Sequence, residues 1–363
     1  MPAERQRAVH IIEPTLEDYA GHCYDLVRSL CESAIDRAVT VWGGKPATQL
    51  SFDPRVSLRP YFFRRWRAPQ LFWLFRRLLR GDEPLVLTTA RRTDLTLASL
   101  AARGRLRPGK LFLYFHWYRE SPKRVSFLRR MAIAQPGITI LATTELVADT
   151  FRRAGFPRVA LLPYPLTARA TLNEPSASGF RHLLYAGAAR QEKGFSKIVD
   201  LVERLQAEGA DLPVAVQVSG EHYGKYESRT LADIGRLEQS GYRSLSLIRD
   251  TLGPGQYAEI FRGAICIQPY DPNEFRDRVS GVTLDALAYG SPVIVPANTW
   301  MAKIMEPQSA GIAVSDLDPG SILQAVRAIL KDYDRYQGSA LAAGVALRTR
   351  SWKPLLELID GST

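Results

Sequence analysis

Two stretches in the second half of the chain carry residues whose types and spacing suit anion chemistry. The first is the apolar run Leu183-Leu184-Tyr185-Ala186-Gly187, followed by Arg190, Lys193 and Gly194 and then an amphipathic segment. A glycine turn at a strand's carboxyl end, with cations nearby and a helix N-terminus beyond, is a place where phosphate is held. Arg190 and Lys193 would neutralise a diphosphate there; a solvated basic loop is the bland alternative. The second stretch, 270–295, reads as loop, helix, glycine turn and buried strand. Asp277 and Asp285 stand eight apart, with Ser280 and Gly281 between them at an expected helix start. That offers backbone N–H groups to phosphate oxygens and a carboxylate on either side to hydroxyls. Arg278 would add a charge-assisted contact.

Other chemistry loses support. The chain has no His-Glu-x-x-His, Cys-x-x-Cys, Gly-x-x-x-x-Gly-Lys-Ser/Thr or Gly-x-Gly-x-x-Gly, which argues against zinc proteases, zinc ribbons, P-loop NTPases and the standard dinucleotide fingerprint. Asp316 and Asp318 have a spacing that can hold a divalent metal. Their position before Pro319-Gly320 and a helix near Ser321 favours a turn with an N-cap, and no metal site is expected.

The elements that must position these groups alternate. Strands are predicted at 8–12, 38–42, 85–89, 111–115, 139–143 and 158–162, then at 182–186, 214–219, 245–249, 264–268, 292–296 and 311–314. Helical patterns lie between several of them, for example 196–208 with Ile198, Leu201, Val202 and Leu205 on one face. Strand–helix alternation implies parallel α/β sheets. Twelve strands exceed one short sheet, so two Rossmann-like domains are expected, 1–165 and 181–344. The polar, unperiodic segment 166–180 is the expected linker, and a final helix at about 345–363 is expected to return to the first domain.

The 363 residues carry 48 Lys+Arg against 37 Asp+Glu, a formal net charge of +11. Residues 1–165 hold 27 Lys+Arg and 14 Asp+Glu, a net of +13, whereas residues 166–363 come to −2. With 46% hydrophobic and 23% charged residues the chain can bury a core, which excludes disordered and collagen-like classes. Cys23, Cys31 and Cys266 are too few for a disulfide scaffold. Cys23 and Cys31 would share a helix face about 12 Å apart, beyond disulfide reach, which fits a reducing compartment. Neither a signal peptide nor an uninterrupted run of roughly 18 apolar residues is present. A cytoplasmic protein is expected, at most peripheral on the inner membrane face.

The densest charge lies in Arg59–Arg80, with seven Arg, seven aromatics and no acid. Helical spacing from Gln70 puts Trp73, Arg76, Arg77 and Arg80 on one face and Leu71, Leu74, Phe75 and Leu78 opposite. Such a helix can lie on an anionic membrane or meet a lipid-linked acceptor; an ordinary surface helix is the alternative. No recognised nucleic-acid module surrounds it, so nucleic acid is not an expected partner.

In combination, Tyr185-Ala186-Gly187, Glu192-Lys193-Gly194, the Asp277/Asp285 pair and Ala286-Leu287-Ala288-Tyr289-Gly290-Ser291-Pro292-Val293-Ile294 resemble the donor-binding half of GT-B glycosyltransferases, the nearest group being family 4. The resemblance covers residues 180–350 well and the first half weakly. It implies an α/β fold of two Rossmann-like domains facing a central cleft. It also implies an enzyme, mostly of retaining type, that moves a sugar from a nucleoside-diphosphate-sugar to a glycan or lipid-linked acceptor in cell-surface polysaccharide or glycolipid synthesis. No cofactor beyond the donor is implied. Lys193 would hold the diphosphate, Asp277 the donor sugar hydroxyls, Asp285 the ribose, and the Ser280-Gly281 amides the phosphates. The family usually has Glu at both carboxylate positions, and its Arg directly after the glycine is Ala188 here; Arg190 or Arg278 would substitute. In the first half the resemblance implies that Gly21 lets a loop approach the donor phosphates and that His116, after the strand 111–115, lies near the donor sugar. His22 is favoured as a surface or capping residue, and the loop 89–94 would meet the acceptor. A nucleotide-sugar epimerase, an inverting GT-B enzyme and a non-catalytic nucleotide-binding protein on this scaffold remain open as alternatives.

Overall fold

The computed structural model describes residues 8–19, 22–34, 36–166, 179–218 and 226–361. Gly21, most of the expected linker (167–178), the last residue of the strand expected at 214–219 and the final two residues lie outside them, and of the His22 side chain nothing is said. The chain divides into two compact units, one of Met1–Thr167 with Arg350–Thr363 and the other of Ala168–Thr349.

The first unit is built on a seven-stranded parallel sheet. Its strands are β1 Val9–Ile12, β2 Val39–Gly44, β3 Val56–Phe62, β4 Leu85–Leu87, β5 Leu111–Phe115, β6 Thr139–Ala142 and β7 Val159–Leu161, in the order β3-β2-β1-β4-β5-β6-β7. The central strands are apolar on both faces because helices cover both sides; β4, β5 and β6 are buried throughout. The second unit has six parallel strands, β8 His182–Tyr185, β9 Val214–Gln217, β10 Leu245–Ile248, β11 Ala264–Ile267, β12 Val293–Pro296 and β13 Gly311–Val314, ordered β10-β9-β8-β11-β12-β13. In each sheet the order reverses once, at β1/β4 and at β8/β11. That reversal opens a crevice at the strands' carboxyl ends, where open α/β sheets bind ligands.

Strand β3 was not foreseen. The tract 59–80 is composite: β3 ends at Phe62, a 3₁₀ turn spans Arg64–Trp66, and an α-helix runs Arg67–Leu78. Arg59 and Pro60 are tolerated in β3 because it is an edge strand, with one side unpaired. The helix therefore starts at Arg67, three residues before the periodicity from Gln70 suggested. Gln70 joins the two parts, accepting from Phe63 N–H at 2.7 Å and donating to the Tyr61 carbonyl at 2.8 Å. Leu71, Leu74, Phe75 and Leu78 are buried on the sheet side, while Trp73, Arg77 and Arg80 are exposed and Arg76 is half-buried.

The helix Lys353–Asp360 belongs to the first unit. Trp352 is buried against Tyr114 and its Nε1 donates to Ser29 Oγ at 2.9 Å. Asp360 accepts from both terminal nitrogens of the buried Arg37 guanidinium, at 2.9 and 2.8 Å. The three cysteines are free, and burial pushes each thiol up to about 12. Among the described residues no helix is long and apolar enough to cross a membrane.

Candidate active site

In the second unit the β8 and β11 loops emerge side by side at the reversal of strand order. After β8 the chain turns at Gly187, whose φ of 91° is in the left-handed region that glycine enters without steric cost. A 3₁₀ turn, Gln191–Lys193, then leads through Gly194 into the helix Phe195–Ala207. Gly194 cannot carry a side chain: its φ is +68° and a Cβ there would stand 1.9 Å from the Pro269 carbonyl oxygen. That close approach, with Asp271 N–H bonded to the Glu192 carbonyl at 3.0 Å, seats the 3₁₀ turn against the loop after β11. Ile198, Leu201, Val202 and Leu205 of the following helix are all buried.

This seating aims Lys193. Its Nζ lies over the Tyr270 ring, 5.6 Å from the centroid, and fills the space a side chain on Gly187 would need. A Cβ at Gly187 would be 3.1 Å from Lys193 Nζ and 3.2 Å from Val282 Cγ2. Gly187, Lys193 and the first turn of the helix Gly281–Ala288 thus meet at one point. Burial, and then the positive charges of Arg190 and Arg278, lower the lysine's pKa to about 8. Burial likewise lowers that of Arg278, whose guanidinium lies 4.9 Å from the centre of the Phe275 ring. Glu192 lies 3.6 Å from exposed Arg190. Lys193 Nζ has neither a hydrogen-bond nor an ion-pair partner among the described residues. Arg190, Lys193 and Arg278 thus bring three cations to the turn.

Helix Gly281–Ala288 faces the same point with its N-terminus. Ser280 caps it, its Oγ accepting from Thr283 N–H at 3.3 Å. The N–H groups of Gly281 and Val282 have no partner inside the helix, and they carry the positive end of its dipole. Asp277 is half-buried in the bend before the cap. Asp285, one turn into the helix, accepts from the Tyr257 hydroxyl at 3.0 Å; burial and that carboxylate raise the phenol well above its ordinary value. The structure therefore gathers Gly187, Arg190, Lys193, Arg278, Ser280 and Gly281 about one locus, with Asp277 and Asp285 on the elements that frame it.

Several partners were not anticipated. Gln217, the buried last residue of β9, accepts the Gly187 N–H at 2.6 Å. Gly187 therefore contributes space rather than a phosphate-binding amide. The signal was present as a lone polar residue ending Val-Ala-Val-Gln at the strand's carboxyl end. Gln191 is held by Thr230 and Asp233, and the Ser196 hydroxyl lies 2.6 Å from both Gln191 Oε1 and Asp233 Oδ2, able to donate to one of them. Asp318 caps the helix Pro319–Leu330, accepting from Gly320 and Ser321 N–H.

In the first unit, His116 follows β5 directly and stands edge-on between Tyr114 and Tyr164, at 4.9 and 5.3 Å. Trp73, Arg76 and Arg77 lie on the helix Arg67–Leu78 and Arg80 just after it; Arg77 lies 5.6 Å from the Trp42 ring centre. Glu13, fully buried after β1, was also missed. It accepts from Thr15 N–H at 3.0 Å and from the Thr88 and Thr89 hydroxyls at 2.7 and 2.5 Å, tying the β1 and β4 loops together at the reversal of strand order.

No family model matches the sequence, and no curated protein matches it. Solved structures do match. Sucrose-phosphate synthase from Thermosynechococcus elongatus is similar with a TM-score of 0.71 at 14% identity, covering 98% of this chain and 98% of that one. Anabaena HepE, solved in complex with UDP and glucose, gives 0.68 at 12% identity over 98% and 99%. A glycosyltransferase from Rickettsia africae gives 0.69 at 11% identity over 97% and 96%. At such identities it is the fold that is shared, two parallel-sheet Rossmann-like domains over nearly the whole length. The chain has the GT-B fold.

Proposed function

We propose that the protein is a glycosyltransferase that moves a sugar from a nucleoside-diphosphate-sugar to a saccharide acceptor, with the donor held by the second unit. The observation that carries this reading is the locus where Lys193 Nζ, seated against Gly187, meets the start of helix Gly281–Ala288. It combines positive charge with N–H groups that have no partner inside the helix, which is what a diphosphate requires. Asp285 would take the ribose and Asp277 the donor sugar hydroxyls. The UDP and glucose in the HepE structure supply the donor class by analogy of fold.

Transfer with retention is the mechanism this reading favours. The bond between the sugar's anomeric carbon and the β-phosphate oxygen breaks, and the acceptor oxygen bonds to that carbon on the same face. The acceptor's proton passes to the departing phosphate, so products are a glycoside and a nucleoside diphosphate. Lys193, Arg190 and Arg278 stabilise the charge that builds on the leaving oxygen, the preorganised electrostatic assistance that is often the largest share of catalysis. Positive charge for the diphosphate thus comes from side chains.

The exposed aromatics Phe63, Trp66 and Trp73, with the arginines of 59–80, support a peripheral stay on an anionic membrane, and hence a lipid-linked or cell-surface glycan as acceptor. Incubation with UDP-glucose and an acceptor panel tests the transfer reading. Acceptor-dependent UDP release with a new α-linked product supports it; epimerised donor, or binding without turnover over hours, overturns it.

A further inference from the structure

The carboxyl ends of the adjacent strands β4 and β5 carry a second, separate cluster of charge. The β4 loop bears Arg91 and Arg92, and the β5 loop bears Trp117, Tyr118 and Arg119. Helix Pro122–Ala134 binds the two loops together. The Arg92 guanidinium lies 5.5 Å from the centre of its Phe127 ring. Arg124, one turn earlier, donates to the Arg119 carbonyl at 3.0 Å. Tyr118 lies within electrostatic reach of both Arg92 and Arg124. Its hydroxyl is buried with no hydrogen-bond partner among the described residues. Trp117, the residue before it in the β5 loop, is 42% exposed.

The local acids do not answer this charge. Glu120 is engaged by Arg153 and the Thr150 hydroxyl. Asp94 is buried and turned inward, accepting the Arg91 N–H at 2.7 Å, and burial pushes its carboxyl up to about 6. Among the described residues neither Arg92 nor Arg124 has a carboxylate within ion-pair distance, although Arg152 and Arg153 nearby in sequence are both paired. Guanidinium groups without a carboxylate, at a strand-end loop cluster that also carries an exposed indole, match a ligand that has both a flat apolar face and a negative charge.

We propose that this edge of the first unit binds the acceptor saccharide through an anionic group, a phosphate or a carboxylate, with Arg92 and Arg124 as its ligands and Trp117 against the sugar ring. This rests on the transfer reading above and names the acceptor's chemical class. It also gives part of the first half's charge a task distinct from that of the basic helix Arg67–Leu78.

Calorimetric titration of the full chain, with UDP present, of glucose 6-phosphate, glucuronate, glucose and inorganic phosphate tests it. At least one anionic sugar should bind tenfold or more tighter than glucose, and which one does so identifies the charged group. Arg92→Gln and Arg124→Gln should each weaken that ligand about tenfold while thermal melting and UDP affinity stay unchanged. Glucose binding as tightly as both anionic sugars, inorganic phosphate binding as tightly as the preferred one, no binding of any of the four, or variants indistinguishable from the parent would overturn it. Anionic sugar binding without UDP binding would sink the donor-site reading and leave this site standing.

Discussion

A side chain on Gly187 would begin 3.1 Å from the amine of Lys193, although five residues of loop and 3₁₀ turn separate the two along the chain. The contact is made by folding the β8 loop back on itself, held by Gly194 against Pro269. Gly187→Ala should therefore act twice. It forces a left-handed φ on a residue with a Cβ, costing about 1–2 kcal/mol, and it displaces the lysine. UDP affinity by calorimetry should fall at least tenfold; an unchanged affinity would mean that Lys193 does not set it.

Gly281 offers the complementary test, since a Cβ there would meet nothing within 4 Å. Gly281→Ala should melt at or slightly above the parent temperature, because alanine favours a helix over glycine by about 1 kcal/mol. If phosphate approaches the start of this helix, the added methyl occupies the ligand's space, and UDP should weaken severalfold with no loss of stability. Equal affinity would move the phosphate elsewhere.

The lysine's lowered pKa, about 8, fixes a direction with pH. Below pH 8 the amine is charged and attracts the diphosphate; above it the amine progressively loses its proton. UDP affinity should fall as pH rises through 8 and beyond, with proton uptake on binding visible in the buffer dependence of the heat. Lys193→Arg should flatten that decline, because guanidinium stays charged. For the unliganded fold the sign reverses. The unfolded chain holds this proton more tightly, so the lysine's contribution to stability rises between pH 8 and the ordinary lysine value. An affinity that is flat from pH 7 to 9.5 in the parent would contradict the assignment.

Arg37 and Asp360 stand 323 residues apart in sequence and form a bidentate pair in which the arginine side chain is 3% exposed. Asp360→Ala would leave a buried guanidinium without its carboxylate. That should cost about 1.5–3 kcal/mol, the range for hydrogen bonds to charged groups, read by chemical denaturation of the full chain. Nucleotide affinity should not change, since the pair belongs to the first unit. A cost below about 0.5 kcal/mol, the usual scatter for surface substitutions, would show that the last helix is held by Trp352 and its apolar face alone.

How far the sequence could be read follows from which forces act locally. The apolar runs of β5, β6, β8, β11 and β12 are legible because strands buried on both faces must be apolar throughout. The helix Phe195–Ala207 is legible because Ile198, Leu201, Val202 and Leu205 recur at helical spacing. Strand β3 escaped because an edge strand needs neither property, and Arg59 with Pro60 reads as loop. The cations and the helix cap of the site could be picked out, since glycine, charge and N-cap serine have position-specific meanings. The tertiary contacts could not. That Gln217 removes the Gly187 amide, that Tyr257 engages Asp285, and that Glu13 ties two loops together depend on which strands lie side by side, and residue spacing along one strand carries no trace of its neighbour.

The central claim is that the Gly187–Lys193–Gly281 locus holds a nucleoside diphosphate, and calorimetric titration with UDP, GDP and ADP tests it most directly. One of the three should bind saturably, with Lys193→Ala lowering affinity tenfold or more and Asp285→Ala weakening it through the ribose, both variants melting as cooperatively as the parent. If none of the three binds even in the millimolar range, or if Lys193→Ala binds as the parent does, the locus is not a donor site.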